Sequence, residues 1–206
     1  MSERQRAVIP LRRHAGGAYS AVMTASTGPD SPAGTGWRVT SGTTEPATVD
    51  RLLRLLPQWF GIESANQDYV RAAGELPAYL AWPDPGSGTA TGTATGAGPG
   101  ELPQPAGVLL VRRHFPGAAE IHLMAVDPAQ HRRGAGRALV QAAEAGLIAD
   151  GVEFLQVKTL GPARPDAGYA RTRQFYASMG FRPLEEIHGL WPENPCLILV
   201  KALGAA

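Results

Sequence analysis

Cysteine is nearly missing from this chain: one residue of 206, Cys196, carries a thiol. A lone cysteine cannot close an internal disulfide, so the sequence fits a reducing cytoplasm, with Cys196 read as a buried structural thiol. No run approaches the eighteen or more apolar residues that span a bilayer, which predicts no membrane partner. Arg12-Arg13 ahead of residues 14–26 has the outline of a twin-arginine export signal, but the segment is too polar to supply its apolar core. An excess of charge is lacking too. Nineteen Lys and Arg against 18 Asp and Glu leave no net field to draw the chain onto nucleic acid or anionic lipid. The five histidines and single cysteine show no metal-ligand spacing, so no metal is expected.

What abounds is glycine and proline, 25 and 18 residues, and they are concentrated. Residues 1–35 carry little apolar periodicity and end in a Ser/Thr/Gly/Pro-rich stretch that cannot repay the entropy of ordering; they read as a flexible arm. Residues 84–105 hold Gly-Thr-Ala-Thr-Gly-Thr-Ala-Thr-Gly between two strand-like runs, 78–82 and 108–111. That is a hairpin with an inflated, disordered turn, an insertion that loop-closure entropy tolerates. Length favours one domain, residues 36–206, around it.

Within that domain, 37–40 is a candidate first strand and 48–56 a helix with Val49, Leu52, Leu53 and Leu56 on one face, ended by Pro57. A second helix over 64–76 follows the Trp59-Phe60-Gly61-Ile62 corner. After the hairpin come a strand over 118–126, a helix over 134–150, a strand over 154–159, a helix over 169–179 and a last strand over 196–202. Strands paired first by a hairpin and later linked through helices make a mixed α/β chain.

The strand over 118–126, an Asp127-Pro128 turn and Gln130-His131-Arg132-Arg133-Gly134-Ala135-Gly136-Arg137 opening a helix form an anion cradle. The first turn of a helix leaves N–H groups unpaired and carries partial positive charge. Gly134 and Gly136 let the backbone approach a pyrophosphate with no Cβ in the way, and Arg132, Arg133 and Arg137 add charge.

This segment resembles the acetyl-CoA motif of the GNAT N-acetyltransferases: Gln or Arg, two residues, Gly, one residue, Gly or Ala. His131 stands where Gln or Arg is usual. A second stretch, Tyr169-Ala-Arg-Thr-Arg-Gln-Phe-Tyr-Ala-Ser-Met-Gly-Phe181, resembles the family's next motif, a helix carrying Phe-Tyr, three residues and Gly-Phe. Gly180 can take the left-handed conformation that ends a helix and Phe181 can pack back on it. The resemblance implies the GNAT fold: a mixed, strongly twisted sheet of six or seven strands flanked by helices and splayed at the acetyl-CoA site.

It implies, further, that the backbone of Met124 and Val126 and the loop His131, Arg132, Arg133, Gly134, Ala135, Gly136 and Arg137 bind acetyl-CoA as cosubstrate. The acetyl group would pass by direct attack to a primary amine, on a small molecule or a protein. Tyr176 would donate a proton or hydrogen bond to the departing thiolate. Glu120 matches the family's general-base carboxylate by its spacing to Gly134, and His122, two residues on, shares its strand face and could relay a proton. In relatives of the family the loops of the Trp59-Phe60 corner and Trp191 border the acceptor cleft, and core packing of these aromatics is the alternative. A non-catalytic acyl-CoA-binding sensor is the alternative, and homodimerisation stays open. Deleting 86–98 is expected to leave folding and acetyl-CoA binding intact, because the tract brings no apolar surface to a core; a lowered melting temperature or lost binding would refute that.

Overall fold

The computed structural model describes residues 36–42, 44, 46–84 and 104–204. The arm 1–35 and most of the Gly/Thr tract lie outside them. Seven strands form one sheet: β1 (Trp37–Gly42), β2 (Ala78–Pro83), β3 (Gly107–Phe115), β4 (Ala118–Val126), β5 (Phe154–Leu160), β6 (Arg182–Trp191) and β7 (Asn194–Ala202), in spatial order β1-β2-β3-β4-β5-β7-β6. Neighbours run antiparallel except β4 and β5, which are parallel and joined by a helical crossover. The expected hairpin is there as β2 and β3, Ala78 opposite Leu110 and Ala81 opposite Gly107. The β6 strand carries no alternation of burial and had no separate place in the sequence reading.

Helices α1 (Pro46–Arg54) and α2 (Glu63–Ala73) cover one face of the sheet. Val49, Leu52, Leu53 and Leu56 pack there with Val108, Leu110, Leu123 and Ala125, the stripe that helical spacing predicts. Helices α3 (Ala135–Ala149) and α4 (Ala167–Ser178) belong to the other face. Leu139, Ala143 and Leu147 of α3 meet Leu109, Val111, Ala119, Ile121, Leu155 and Val157. At Gly146 the Tyr79 hydroxyl fills the space a Cβ would need, so this turn of α3 comes close to β2. As expected, α4 stops at a left-handed Gly180 (φ 89°), the Phe181 N–H donates to Tyr176 O at 3.1 Å, and the Phe181 ring is buried.

An unbroken strand alternation does not describe β4. Leu110 pairs with Leu123 and Val111 with Ile121, leaving His122 as an extra residue in β4. Before this bulge Ala119 and Ile121 face α3; after it Leu123 and Ala125 face α1 and α2, while Met124 and Val126 pack toward α3. The bulge switches which side odd-numbered residues take. A second irregularity, between Arg113 and Phe115, leaves His114 as the extra residue of β3.

These layers predict where mutation hurts. Leu109 has no exposed surface, and Leu109→Ala is expected to destabilise the fold by about 2–5 kcal/mol. Leu184, on edge strand β6 and 64% exposed, is expected to change stability by about 0.5 kcal/mol or less when replaced by Ala. Urea denaturation of the two variants tests the contrast.

Candidate active site

The pairing of β4 with β5 begins at Ala118 and Phe154 and ends at Ile121 and Val157. Both strands continue beyond it, β4 to Val126 and β5 to Leu160, without pairing to each other. The parting starts next to the bulge at His122, because a bulge bends the strand that carries it. The result is a cleft between strands whose backbone groups on the facing edges have no ladder partner.

At the far end of β4 the chain makes a short turn, with Asp127 Oδ1 accepting from the Ala129 N–H at 2.9 Å, and enters the cradle loop. Arg132 (φ 61°) and Gly134 (φ 95°) both have left-handed φ. Left-handed residues within a turn can aim neighbouring N–H groups inward as a nest for an anion, and α3 starts immediately afterwards. Gly134 is required for its φ. At Gly136 a Cβ would lie 3.4 Å from the Phe175 ring and 3.9 Å from Met124, in van der Waals contact with both, which leaves little room for a larger side chain. The side chains of Arg132, Arg133 and Arg137 are exposed, and Ala135 is buried beneath the loop.

Two side chains fix this loop. The buried Trp37 of β1 donates its indole N–H to Arg133 O at 2.7 Å, a support that a lone aromatic in a short strand did not reveal. His131 does not stand free: its Nε2 is 2.8 Å from Val126 O, and its ring meets the Trp59 ring edge-on at 5.9 Å. The carbonyl acts as acceptor, so Nε2 carries the hydrogen.

On the α1/α2 face, Glu120 is 6% exposed and takes three hydrogen bonds, from His114 Nε2 at 2.6 Å, Lys158 Nζ at 2.8 Å and Gln156 Nε2 at 3.2 Å. All three end on Oε2. Burial alone would push this carboxyl up, but the bonds from Lys158, His114 and Gln156 outweigh it and hold it below the ordinary glutamate range. His122 lies beyond it, its Nε2 3.2 Å from Arg112 Nη2 and its ring 5.4 Å from that of Tyr69. Guanidinium only donates, so His122 Nε2 is the acceptor and the ring is neutral. Burial and then the Arg112 charge push its pKa down.

Tyr176 is 4% exposed, its ring centroid 5.2 Å from that of Phe175 and 5.4 Å from that of Phe181. Its hydroxyl has no hydrogen-bond partner among the described residues, and burial pushes the phenol far up. Phe175 is the ring against Gly136 and Met124, so it walls the cradle as well as packing on the core. Cys196 is fully buried, and burial raises its thiol. Two shallow concavities include no cradle residue: one, bounded by His114, Phe115, Phe154, Gln156 and Val200, adjoins two of the Glu120 donors, and the other is bounded by Tyr79, Leu147 and Asp150.

Residues 101–183 match the family described as the acetyltransferase (GNAT) domain. That segment is a GNAT acetyltransferase domain. Acyl transfer is the reaction class of that family. Solved structures similar to the GNAT domain and its flanks include an acetyltransferase assigned to the GNAT family from Desulfovibrio desulfuricans (18% identity, 82% of this chain and 99% of that one, TM-score 0.61). The ribosomal-protein-S18-alanine N-acetyltransferase of Escherichia coli is similar at 17% identity over 82% of this chain and 96% of that one, TM-score 0.57. A chain of the NatC complex bound to Gag peptide and CoA is similar at 16% identity over 81% and 99%, TM-score 0.55. At such identities the likeness is one of fold. No curated protein sequence matches the chain. Among the described residues no helix is long and apolar enough to cross a membrane, and no group of three or more His, Cys, Asp or Glu could hold a metal.

The Glu120 cluster sets a pH dependence for this GNAT domain. A carboxyl held below its unfolded value of about 4.3 contributes stability that is present above that pH and is lost as pH falls through the folded value. His122, held below about 6.5, also makes the fold less stable as pH falls, because the unfolded ring takes up the proton first. Glu120→Gln is therefore expected to be less stable than the parent at pH 7 and to lose less as pH falls from about 5 to about 2. Equal urea-midpoint slopes for the two proteins would show that the bonds to Oε2 are not what sets the acid limb.

Proposed function

We propose that the chain is an acetyl-CoA-dependent N-acetyltransferase that acetylates a primary amine by direct attack. The observation that carries this reading is the parted end of β4 and β5, leading to a left-handed, glycine-bearing loop at the start of α3. The residues fit such a cosubstrate. Gly134 and Gly136 leave room that side chains would fill, and two buried polar atoms without a hydrogen-bond partner, Gln130 Oε1 in the turn after β4 and Thr159 Oγ1 on the end of β5 that β4 does not pair, belong to segments bordering the cleft.

Acetyl-CoA supplies the thioester, whose carbonyl carbon accepts the amine. The loop N–H groups from Arg132 to Gly136, with the exposed Arg132, Arg133 and Arg137, would hold the pyrophosphate. The backbone edges of Met124 and Val126 would hold the pantetheine arm, with His131 Nε2 exchanging Val126 O for the arm's amide. The amine nitrogen forms the C–N bond as the C–S bond breaks; one proton leaves the amine and one is taken by the thiolate. Glu120, kept ionised, has Oε1 without a hydrogen bond among the described residues and is the proton acceptor, directly or through water. Tyr176, kept protonated, carries the unpartnered hydroxyl that donates to the sulfur. A cytoplasmic setting agrees with the single reduced thiol at Cys196.

Saturating acetyl-CoA is expected to raise the melting temperature, since it binds only the folded cradle, and Gly136→Val is expected to abolish the rise. No shift with the parent protein would sink the reading. Tyr176→Phe is expected to cut turnover by about a hundredfold while leaving acetyl-CoA affinity nearly unchanged. A turnover within threefold of the parent, with chemistry rate-limiting, would make Tyr176 a wall and no more.

A further inference from the structure

Fourteen aromatic residues, 4 Trp, 5 Tyr and 5 Phe, are few for a chain this long, and several of them gather at one place. From the cradle toward Glu120 the rings follow one another: His131 against Trp59 at 5.9 Å and 72°, Phe60 next in sequence, Phe60 against Tyr69 at 5.9 Å and 89°, and Tyr69 against His122 at 5.4 Å and 62°. Trp59, Phe60, Tyr69 and His122 are each half-buried, whereas Trp37, Tyr176 and Phe181 are buried. Tyr169 of α4 braces the row, its hydroxyl donating to Trp59 O at 3.1 Å, and a Cβ at Gly168 would touch the Trp59 indole at 3.4 Å. Burial, and after it the Glu120 charge, raises the Tyr69 phenol, which puts this end of the row in the electrostatic reach of the carboxylate.

Half-exposed rings meeting edge to face offer π-faces to a further ring, and aromatic pairs gain beyond their buried area. Sites for small organic molecules combine such an apolar lining with a few aimed polar groups. Glu120 is the aimed group here: His114, Gln156 and Lys158 saturate Oε2, and Oε1 is left to accept. We propose that the acceptor is an arylalkylamine, with its aromatic ring against the row Trp59, Phe60, Tyr69 and His122 and its amino group received by Glu120 Oε1. The assignment rests on the N-acetyltransferase reading for its chemistry but on the ring geometry for its specificity. A polyamine would leave the row uncovered and would bring extra charge beside Lys158 and Arg112. A two-carbon tether between ring and nitrogen suits a row that ends at His122, two residues from the carboxylate.

The test compares 2-phenylethylamine with n-hexylamine, spermidine and a peptide with a free N-terminal alanine, following thiol release from acetyl-CoA. Binding of 2-phenylethylamine is followed separately by quenching of tryptophan fluorescence. The proposal expects kcat/KM for 2-phenylethylamine at least tenfold above each of the other three. Tyr69→Leu keeps apolar bulk and is expected to raise KM for 2-phenylethylamine about tenfold, with the KM for acetyl-CoA unchanged and that for n-hexylamine within twofold. If 2-phenylethylamine quenches the parent, quenches Tyr69→Leu about tenfold more weakly and no amine releases thiol, the aromatic acceptor site stands and the catalytic reading falls. Equal or better use of n-hexylamine, spermidine or the peptide overturns the proposal, as does a parent protein that neither binds nor acetylates 2-phenylethylamine.

Discussion

The pairing of β4 with β5 cannot continue past Ile121 and Val157 once His122 is inserted into β4, and both halves of the candidate site depend on that insertion. A regular β4 would stay bonded to β3 and β5 along its whole length, with no cleft for a ligand and no free backbone edge at Met124 and Val126. The extra residue also resets the alternation, so that Leu123 and Ala125 turn to the α1/α2 core while Met124 turns toward Gly136 and Phe175. A strand that keeps one face apolar along its length would lose one of the two cores. The bulge is thus tolerated because large apolar side chains stand on both sides of it, in the two registers that the two cores need.

Charge is arranged with similar economy around Glu120. A buried carboxylate without partners would take up a proton, so its ionisation depends on the donors around it. Three come from neighbouring strands, His114 from the irregular end of β3 and Gln156 and Lys158 from alternate positions of β5. Alternate positions share a face, and the parallel register that sets Glu120 opposite Gln156 brings Lys158 one step further toward the cleft. The low pKa that results makes Glu120 a weak base but a dependable anion. In the proposed reaction its contribution would then be as much to hold and orient the nitrogen, or a water beside it, as to draw the proton away.

Much of this was legible in the sequence, and what was not has a definite physical origin. Helical spacing gave α1 its buried face, Gly180 and Phe181 marked the end of α4, and 118–126 was recognised as a strand to the residue, because each signal is local. The sequence singled out the loop by glycines that would let a pyrophosphate approach; the left-handed φ of Gly134 and the Phe175 ring beside Gly136 are features it did not state. The β6 strand escaped notice because an edge strand exposed on both sides has no alternation to read. The bulge at His122 escaped because apolar residues occupy β4 in both registers. The partners of Glu120 and the indole of Trp37 at Arg133 O, 96 residues apart in the chain, are set by strand order, and a single sequence with no pairing information does not state it.

The contact of Trp37 with the loop also bears on how the site is held. Arg132 lacks the freedom of glycine, and a left-handed residue in isolation costs about 1 kcal/mol or more, so the loop conformation needs outside support. Trp37 supplies it from β1, the edge strand three places from β4 in the sheet, and His131 supplies it from within by tying the loop back to Val126 O. The second of these ties occupies the same carbonyl that the pantetheine arm would use, whereas the first does not. Cofactor entry would therefore leave the indole anchor in place and release the imidazole, whose ring is the one that touches Trp59 at the head of the aromatic row. A loop fixed on one side and exchangeable on the other could pass the presence of cofactor on to the surface proposed for the acceptor.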